Sequence, residues 1–248
     1  MCGRYAFTLP SEAMETLFGV RNVPEYPPRY NIAPTQPILS VMRDESGARA
    51  AKLARWGLVP AWVKDPREFP LIINARAESM AQKPAFRDSV KHHRCVVPAS
   101  GYYEWHRAPD GTKIPHYIAL ASGEPLPMAG LYATWMGPNG EEIDSAAVIT
   151  VPANPDLVHI HDRMPAILDR ADLDAWLDVR GTDAGTALAA IRSAPQGTMT
   201  AHPVSSRVNS ARNEGEDLIA PVAVEKPSPD SDKAEDVKPV KPSQLDLF

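Results

Sequence analysis

The second residue of this 248-residue chain is a cysteine. Removal of an initiator Met before a small side chain is a common processing step, and here it would leave Cys2 with a free α-amine and a thiol on adjacent carbons. Their reference pKa values, roughly 7.7 to 8.0 and roughly 8.5, keep an appreciable fraction of both groups reactive near neutral pH. An amine and a thiol so placed take up an aldehyde in two steps. The amine condenses with the carbonyl to a Schiff base, and the thiol then adds to the imine carbon to close a five-membered thiazolidine. Ring closure turns an easily hydrolysed imine into a much more stable adduct. Cys2 alone leaves two other readings open: a small residue packed under the first strand with Met1 retained, or an N-terminal nucleophile that hydrolyses amides with its α-amine as base. A second group able to move protons near neutral pH is His161, two residues from His159. That pair would share one face of an extended segment. Zinc needs a third and usually a fourth ligand, however, and His92, His93 and Cys95 lack finger-like spacing, so no metal site is expected.

The elements that must position these groups are short. With 44% hydrophobic and 23% charged residues the composition is that of an ordinary globular domain. The 26 prolines against 14 glycines argue against a helical bundle and for a loop-rich α+β fold. Strand-like runs are expected at 5–8, 38–42, 53–56, 71–73, 95–97, 102–105, 116–120 and 146–151, with hairpin turns at Asp110-Gly111 and Pro138-Asn139-Gly140. Helical periodicity spans 11–18, with Ser11 as N-cap, and also 169–177 and 182–194. Strands outnumber helices without alternating with them, which excludes a doubly wound sheet. No apolar run approaches the ~18 residues of a membrane span, and the first residues do not form a secretory signal. Two cysteines exclude a disulfide framework and fit a reducing, cytoplasmic location.

Seven segments occur in order: Cys2-Gly3-Arg4-Tyr5, Arg29-Tyr30-Asn31-Ile32-Ala33-Pro34, Arg55-Trp56-Gly57-Leu58-Val59-Pro60, Asn74-Ala75-Arg76-Ala77-Glu78, Arg94-Cys95-Val96-Val97-Pro98-Ala99, Gly101-Tyr102-Tyr103-Glu104-Trp105 and His161-Asp162-Arg163-Met164-Pro165. Together they resemble the SOS-response-associated peptidase (SRAP) family over residues 2 to about 220. The resemblance implies a strand-rich α+β fold with barrel-like, twisted antiparallel sheets and flanking helices. It also implies a sensor of abasic sites in single-stranded DNA that forms a covalent crosslink shielding the lesion. An abasic deoxyribose opens to an aldehyde, the partner that an N-terminal cysteine traps. The alternative is an N-terminal-nucleophile cysteine peptidase or amidase acting in trans.

The resemblance further assigns roles. Cys2 is the covalent nucleophile. Glu104, beside apolar Trp105, shuttles protons, where an isolated strand carboxylate would pair with an arginine instead. Asn74 orients the opened sugar or the Cys2 amine, although an Asn before a turn also serves as a backbone cap. His161 is the second acid/base group. Arg4, Arg76 and Arg163 are expected to clamp phosphates, Trp62 to stack on a base beside the lesion, and Asn31 and Thr150 to make polar backbone contacts. Trp56 alternates within a strand and belongs to the core. No cofactor is implied, and a monomer is expected.

Charge is unevenly distributed. Residues 1–107 carry 15 Lys+Arg against 10 Asp+Glu, residues 108–220 carry 7 against 15, and the tail 4 against 6. Net attraction to nucleic acid is therefore absent, while a basic face in the first half is available for it. The globular part is expected to end at Ala220, and 221–243 reads as a flexible linker. The final Gln244-Leu245-Asp246-Leu247-Phe248 resembles the pentapeptide that docks bacterial repair proteins in the pocket of the sliding clamp. In that reading Leu245, Leu247 and Phe248 fill the pocket and Gln244 fixes register, which would hold the protein near the nucleoid.

Overall fold

The computed structural model describes residues 2–223. Twelve strands are found: β1 (Tyr5–Phe7), β2 (Arg29–Ile32), β3 (Pro37–Arg43), β4 (Arg49–Trp56), β5 (Asn74–Arg76), β6 (Arg94–Ala99), β7 (Gly101–Arg107), β8 (Lys113–Leu120), β9 (Leu126–Met136), β10 (Glu142–Pro152), β11 (Arg163–Pro165) and β12 (Met199–Pro203). Five short α-helices flank them: α1 (Ser11–Phe18), α2 (Ala77–Met80), α3 (Arg87–His92), α4 (Leu173–Leu177) and α5 (Ala184–Leu188). The expected strand-rich α+β architecture is the one observed.

Strands β10, β4, β3, β6 and β9 pair in that order, and β9 pairs back onto β10, so the five close into a barrel. Closure removes exposed edges and buries the inward side chains together. Side chains on both faces of the barrel wall are excluded from solvent, among them Ile38, Val41, Val96, Leu131 and Val148. A second sheet, in the order β12-β8-β7-β1-β2, is antiparallel throughout. The barrel departs from the expected antiparallel pattern, because β4 and then β5 run parallel to β10. Strand β10 is 11 residues long, so successive stretches of it accept different neighbours.

Both expected turns form hairpins, with Gly111 at φ 87° joining β7 to β8 and Gly140 at φ 86° joining β9 to β10. A left-handed backbone at these positions is open to glycine at little cost. Helix α1 has the expected span, but its cap is Pro10, whose carbonyl accepts from Ala13 and Met14, and not Ser11. The run 169–177 divides into a 3-10 turn at Arg170–Asp172 and α4. Only Ala184–Leu188 of 182–194 is α-helical, with Asp183 capping through Thr186 N–H. Tighter i to i+3 bonds at Ala189, Ala190 and Ile191 end it before Pro195. The run 71–73 is not a strand: Ile72 makes one bridge to Leu58, and the ladder begins at Asn74. At the C-terminal end Val222 N–H, close to the expected limit near Ala220, donates to Pro203 O (2.9 Å). Most of the expected linker, and Gln244, Leu245, Leu247 and Phe248, lie outside the described residues.

Candidate active site

Cys2 precedes β1 and is fully buried. Strand β1 lies antiparallel to β7, with Tyr5 opposite Tyr102 and Tyr103 N–H donating to Arg4 O (2.9 Å). Continuing that register carries residues 2–4 alongside 103–105, and this is how Cys2 comes close to Glu104. Burial pushes the Cys2 thiol well up from its ordinary value, and the neighbouring Glu104 carboxylate pushes it further. The thiol therefore rests as SH, and nucleophilic attack by sulfur requires a group that takes its proton.

Asn74 reaches Cys2 from the barrel. The Trp56 indole, in the core as expected and edge-on to Tyr5 (5.3 Å between centroids), donates to Ile73 O at 3.1 Å. Val148 N–H donates to the same carbonyl at 3.0 Å, and β5 then starts with Asn74 opposite Val148. From this anchored position Asn74 Nδ2 donates to Cys2 O at 2.8 Å. Its Oδ1 is buried and has no hydrogen-bond partner among the described residues, which leaves one acceptor available beside the Cys2 backbone.

Glu104 is 3% exposed, and desolvation raises its carboxyl above the ordinary value, while nearby His161 partly opposes the rise. A carboxyl so placed is suited to giving and taking protons closer to neutral pH. His161 closes a compact loop in which Leu157 and Ile160 are buried and Ala153 N–H donates to Asp162 O (2.9 Å). Its Nδ1 accepts from Arg163 N–H at 3.0 Å and lies 2.8 Å from Asp162 Oδ1. An Nδ1 without a hydrogen serves the amide and one bearing a hydrogen serves the carboxylate, so the two partners suit different tautomers of the ring. Glu104 and His161 line one cleft of about 620 Å³ together with Trp105, Arg107, Lys113, Ile160 and Asn209. Sequence reasoning had not singled out Arg107, Lys113 or Asn209. The first two flank the Asp110-Gly111 turn, and counting back from that turn would have paired them.

The expected DNA-contacting residues fall into two groups. Arg76 and Trp62 are exposed, Trp62 at 58% and edge-on to Phe69 (5.7 Å) beside a cavity of about 340 Å³. The others are tied internally. Arg4 donates to Asn31 Oδ1 (2.8 Å) and Val208 O (2.7 Å), while the buried Asn31 amide donates to the carbonyls of Ser210 and Asn213 (2.9 Å each). Arg163 forks onto Glu78 (2.9 and 3.0 Å) and donates to the buried Thr150 carbonyl (2.6 Å). Asn31 and Thr150 therefore brace these two arginines and present nothing to solvent.

The model of the SOS response associated peptidase (SRAP) family matches residues 1–211. The chain is 41% identical over 224 residues to the abasic site processing protein YoqW of Bacillus subtilis, covering 88% of this chain and 99% of that one. It is 34% identical over 231 residues to the abasic site processing protein YedK of Escherichia coli, covering 90% and 100%. Among solved structures, a protein from Bacteroides thetaiotaomicron shares the fold, with a TM-score of 0.78 at 24% identity over 90% of this chain and all of that one. The gathering of Cys2, Asn74, Glu104 and His161 where the second sheet meets the barrel thus accompanies a match over most of the sequence, and the chain belongs to the SRAP family.

Proposed function

We propose that this protein recognises abasic sites in single-stranded DNA and traps them covalently through Cys2 once Met1 has been removed. The observation that carries the reading is the meeting at Cys2 of two groups distant in sequence, the Asn74 amide on its carbonyl and the buried Glu104 carboxyl beside its thiol. The names of the relatives, which process abasic sites, agree with it.

The chemistry divides among the residues as follows. His161 gives a proton to the ring oxygen of the sugar as the anomeric hydroxyl loses one, which opens the ring to the aldehyde. The Cys2 amine adds to that carbonyl, and Glu104 protonates the departing hydroxyl, so that one water leaves and an imine forms. Sulfur then adds to the imine carbon while its proton passes through Glu104 to the imine nitrogen, closing the thiazolidine. Asn74 holds the Cys2 backbone and offers Oδ1 to the amine. Arg4, Arg76 and Arg163 hold flanking phosphates, with Asn31 and Thr150 fixing the first and third, and Trp62 stacks on an adjacent base.

The test is incubation with an oligonucleotide bearing one abasic site. A heat-stable complex is expected from the wild type and none from Cys2→Ala, while Cys2→Ser gives at most a complex that needs reductant to survive. An equally stable Cys2→Ser complex without reductant rules out the thiazolidine. Intact-mass spectrometry decides whether Met1 departs. We assign the last five residues to sliding-clamp docking. Truncation after Ser243 is expected to leave trapping of free oligonucleotides unchanged and to abolish clamp binding in a pull-down, and retained binding refutes the docking role.

A further inference from the structure

Beyond the arginines already considered, the active-site cleft carries a second cationic element. Arg107 and Lys113 are cross-strand partners at the end of the β7–β8 hairpin, both exposed, and both line the cleft that holds Glu104 and His161. Cross-strand partners have Cβ atoms about 5 Å apart, so the two charges act on one spot. Among the described residues neither side chain makes a hydrogen bond or ion pair. Arg4 and Arg163, by contrast, share their guanidinium groups with internal acceptors. Trp105 lines the same cleft, and its indole donates to Asn209 Oδ1 at 2.8 Å, which fixes the ring. The cleft thus holds a proton-transfer group, an aromatic ring and two uncommitted positive charges.

We propose that Arg107 and Lys113 grip a backbone phosphate of the damaged strand on one flank of the lesion only, at a fixed distance from it. This rests on the reading of the site as one for single-stranded DNA. Arg107 is three residues beyond Glu104 along β7, about 10 Å at the strand rise of about 3.3 Å per residue. Arg107 and Lys113 leave the strand on the face opposite Glu104, and a stacked strand advances about 3.4 Å per nucleotide, so with the reach of the two side chains the gripped phosphate lies about two to four nucleotides from the abasic sugar. An arginine fork with a lysine point charge suits one phosphate approached from two sides.

The experiment uses the full chain and an oligonucleotide carrying a single tetrahydrofuran, an abasic analogue with no aldehyde, so binding is read apart from chemistry. Fluorescence anisotropy across a salt series is expected to show that Arg107→Gln with Lys113→Gln lowers the slope of log K against log salt by about 0.7, one single-strand phosphate contact. Thermal denaturation of the variant checks that it is folded. In parallel, wild-type protein is titrated with oligonucleotides whose flanks are shortened separately from six nucleotides to one. Affinity is expected to drop between four and two nucleotides on one flank, and there alone the double variant is indifferent to length. An unchanged slope in the variant, or equal sensitivity of wild type and variant to both flanks, overturns the proposal. If trapping of authentic abasic DNA proceeds while that occurs, this inference fails and the proposed function stands. If tetrahydrofuran DNA binds as expected but no trapping is seen, the reverse holds.

Discussion

The chain contains two cysteines, and the structure buries both completely with neither in a disulfide. Burial pushes each thiol well above its ordinary value, so acidity does not separate them. Their neighbours do. Cys95 lies within β6 opposite Gly130, so closely packed that a Cβ on that glycine would stand 2.9 Å from its sulfur, and its carbonyl accepts the Trp176 indole at 2.7 Å. Cys2 lies outside the regular strands, beside a buried carboxyl and under an asparagine amide. A low thiol pKa is the usual mark of a reactive cysteine. In the proposed function the distinction rests on a neighbour placed to take the thiol proton and on a position where loss of Met1 would free an amine.

The comparison breaks most sharply under exchange of the two sulfurs for oxygen. Cys2→Ser is expected to eliminate the heat-stable adduct on denaturing gels, whereas Cys95→Ser leaves its amount unchanged in folded protein. Loss of the adduct in both would place the comparison in error. Removing the proton acceptor comes next: Glu104→Gln is expected to slow trapping by about 10²-fold or more, read by quenched time courses. The same substitution has an opposite effect on stability. The Glu104 carboxyl is raised above its ordinary value of 4.5, so the native state keeps this proton to higher pH than the unfolded chain does. Its contribution is therefore fully present below pH 4.5 and is lost as pH rises through the higher folded value. Glu104→Gln removes that loss, so melting curves should show the variant gaining on wild type above that window and not below it.

Smaller effects sharpen the contrast. Asn74→Ala removes one hydrogen bond to the Cys2 backbone and is expected to slow trapping about tenfold with little change in melting temperature. Cys95→Ala opens a small void in the barrel and is expected to cost about 1 to 2 kcal/mol, roughly 2 to 8 °C, with trapping rates intact. A change in rate at 37 °C without a change in melting temperature would mean that the barrel cysteine takes part in the chemistry.

Local signals carried much of the fold. The two glycine turns made their hairpins, 11–18 became a helix with Met14 and Phe18 buried one turn apart, and Trp56 proved to be core. Four of the strands that went unread explain themselves physically. β9 is buried along most of its length because it forms barrel wall, so it lacks polar alternation, and Pro127 and Gly130 read as breakers. β2, β5 and β11 are three or four residues long and exist through their partners. At the site, Cys2, Glu104 and His161 were legible as residue types inside motifs, while the internal engagement of Arg4, Arg163, Asn31 and Thr150 was not, since their partners lie 27, 85, 177 and 13 residues away.

By itself the sequence determined the inventory of reactive atoms: an amine-thiol pair once residue 1 is lost, a carboxyl next to indole, an imidazole, and turns that reverse the chain at known places. These are properties of covalent structure and of backbone sterics within a few residues, so they can be read without coordinates. Only the tertiary structure decided which of them meet. Asn74 touches Cys2 across 72 residues because β5 runs parallel to β10, and Glu104 faces His161 because the β1–β7 sheet and the loop after β10 converge on one cleft. Long-range strand pairing depends on the whole barrel closing at once, and no local window of the chain contains that condition.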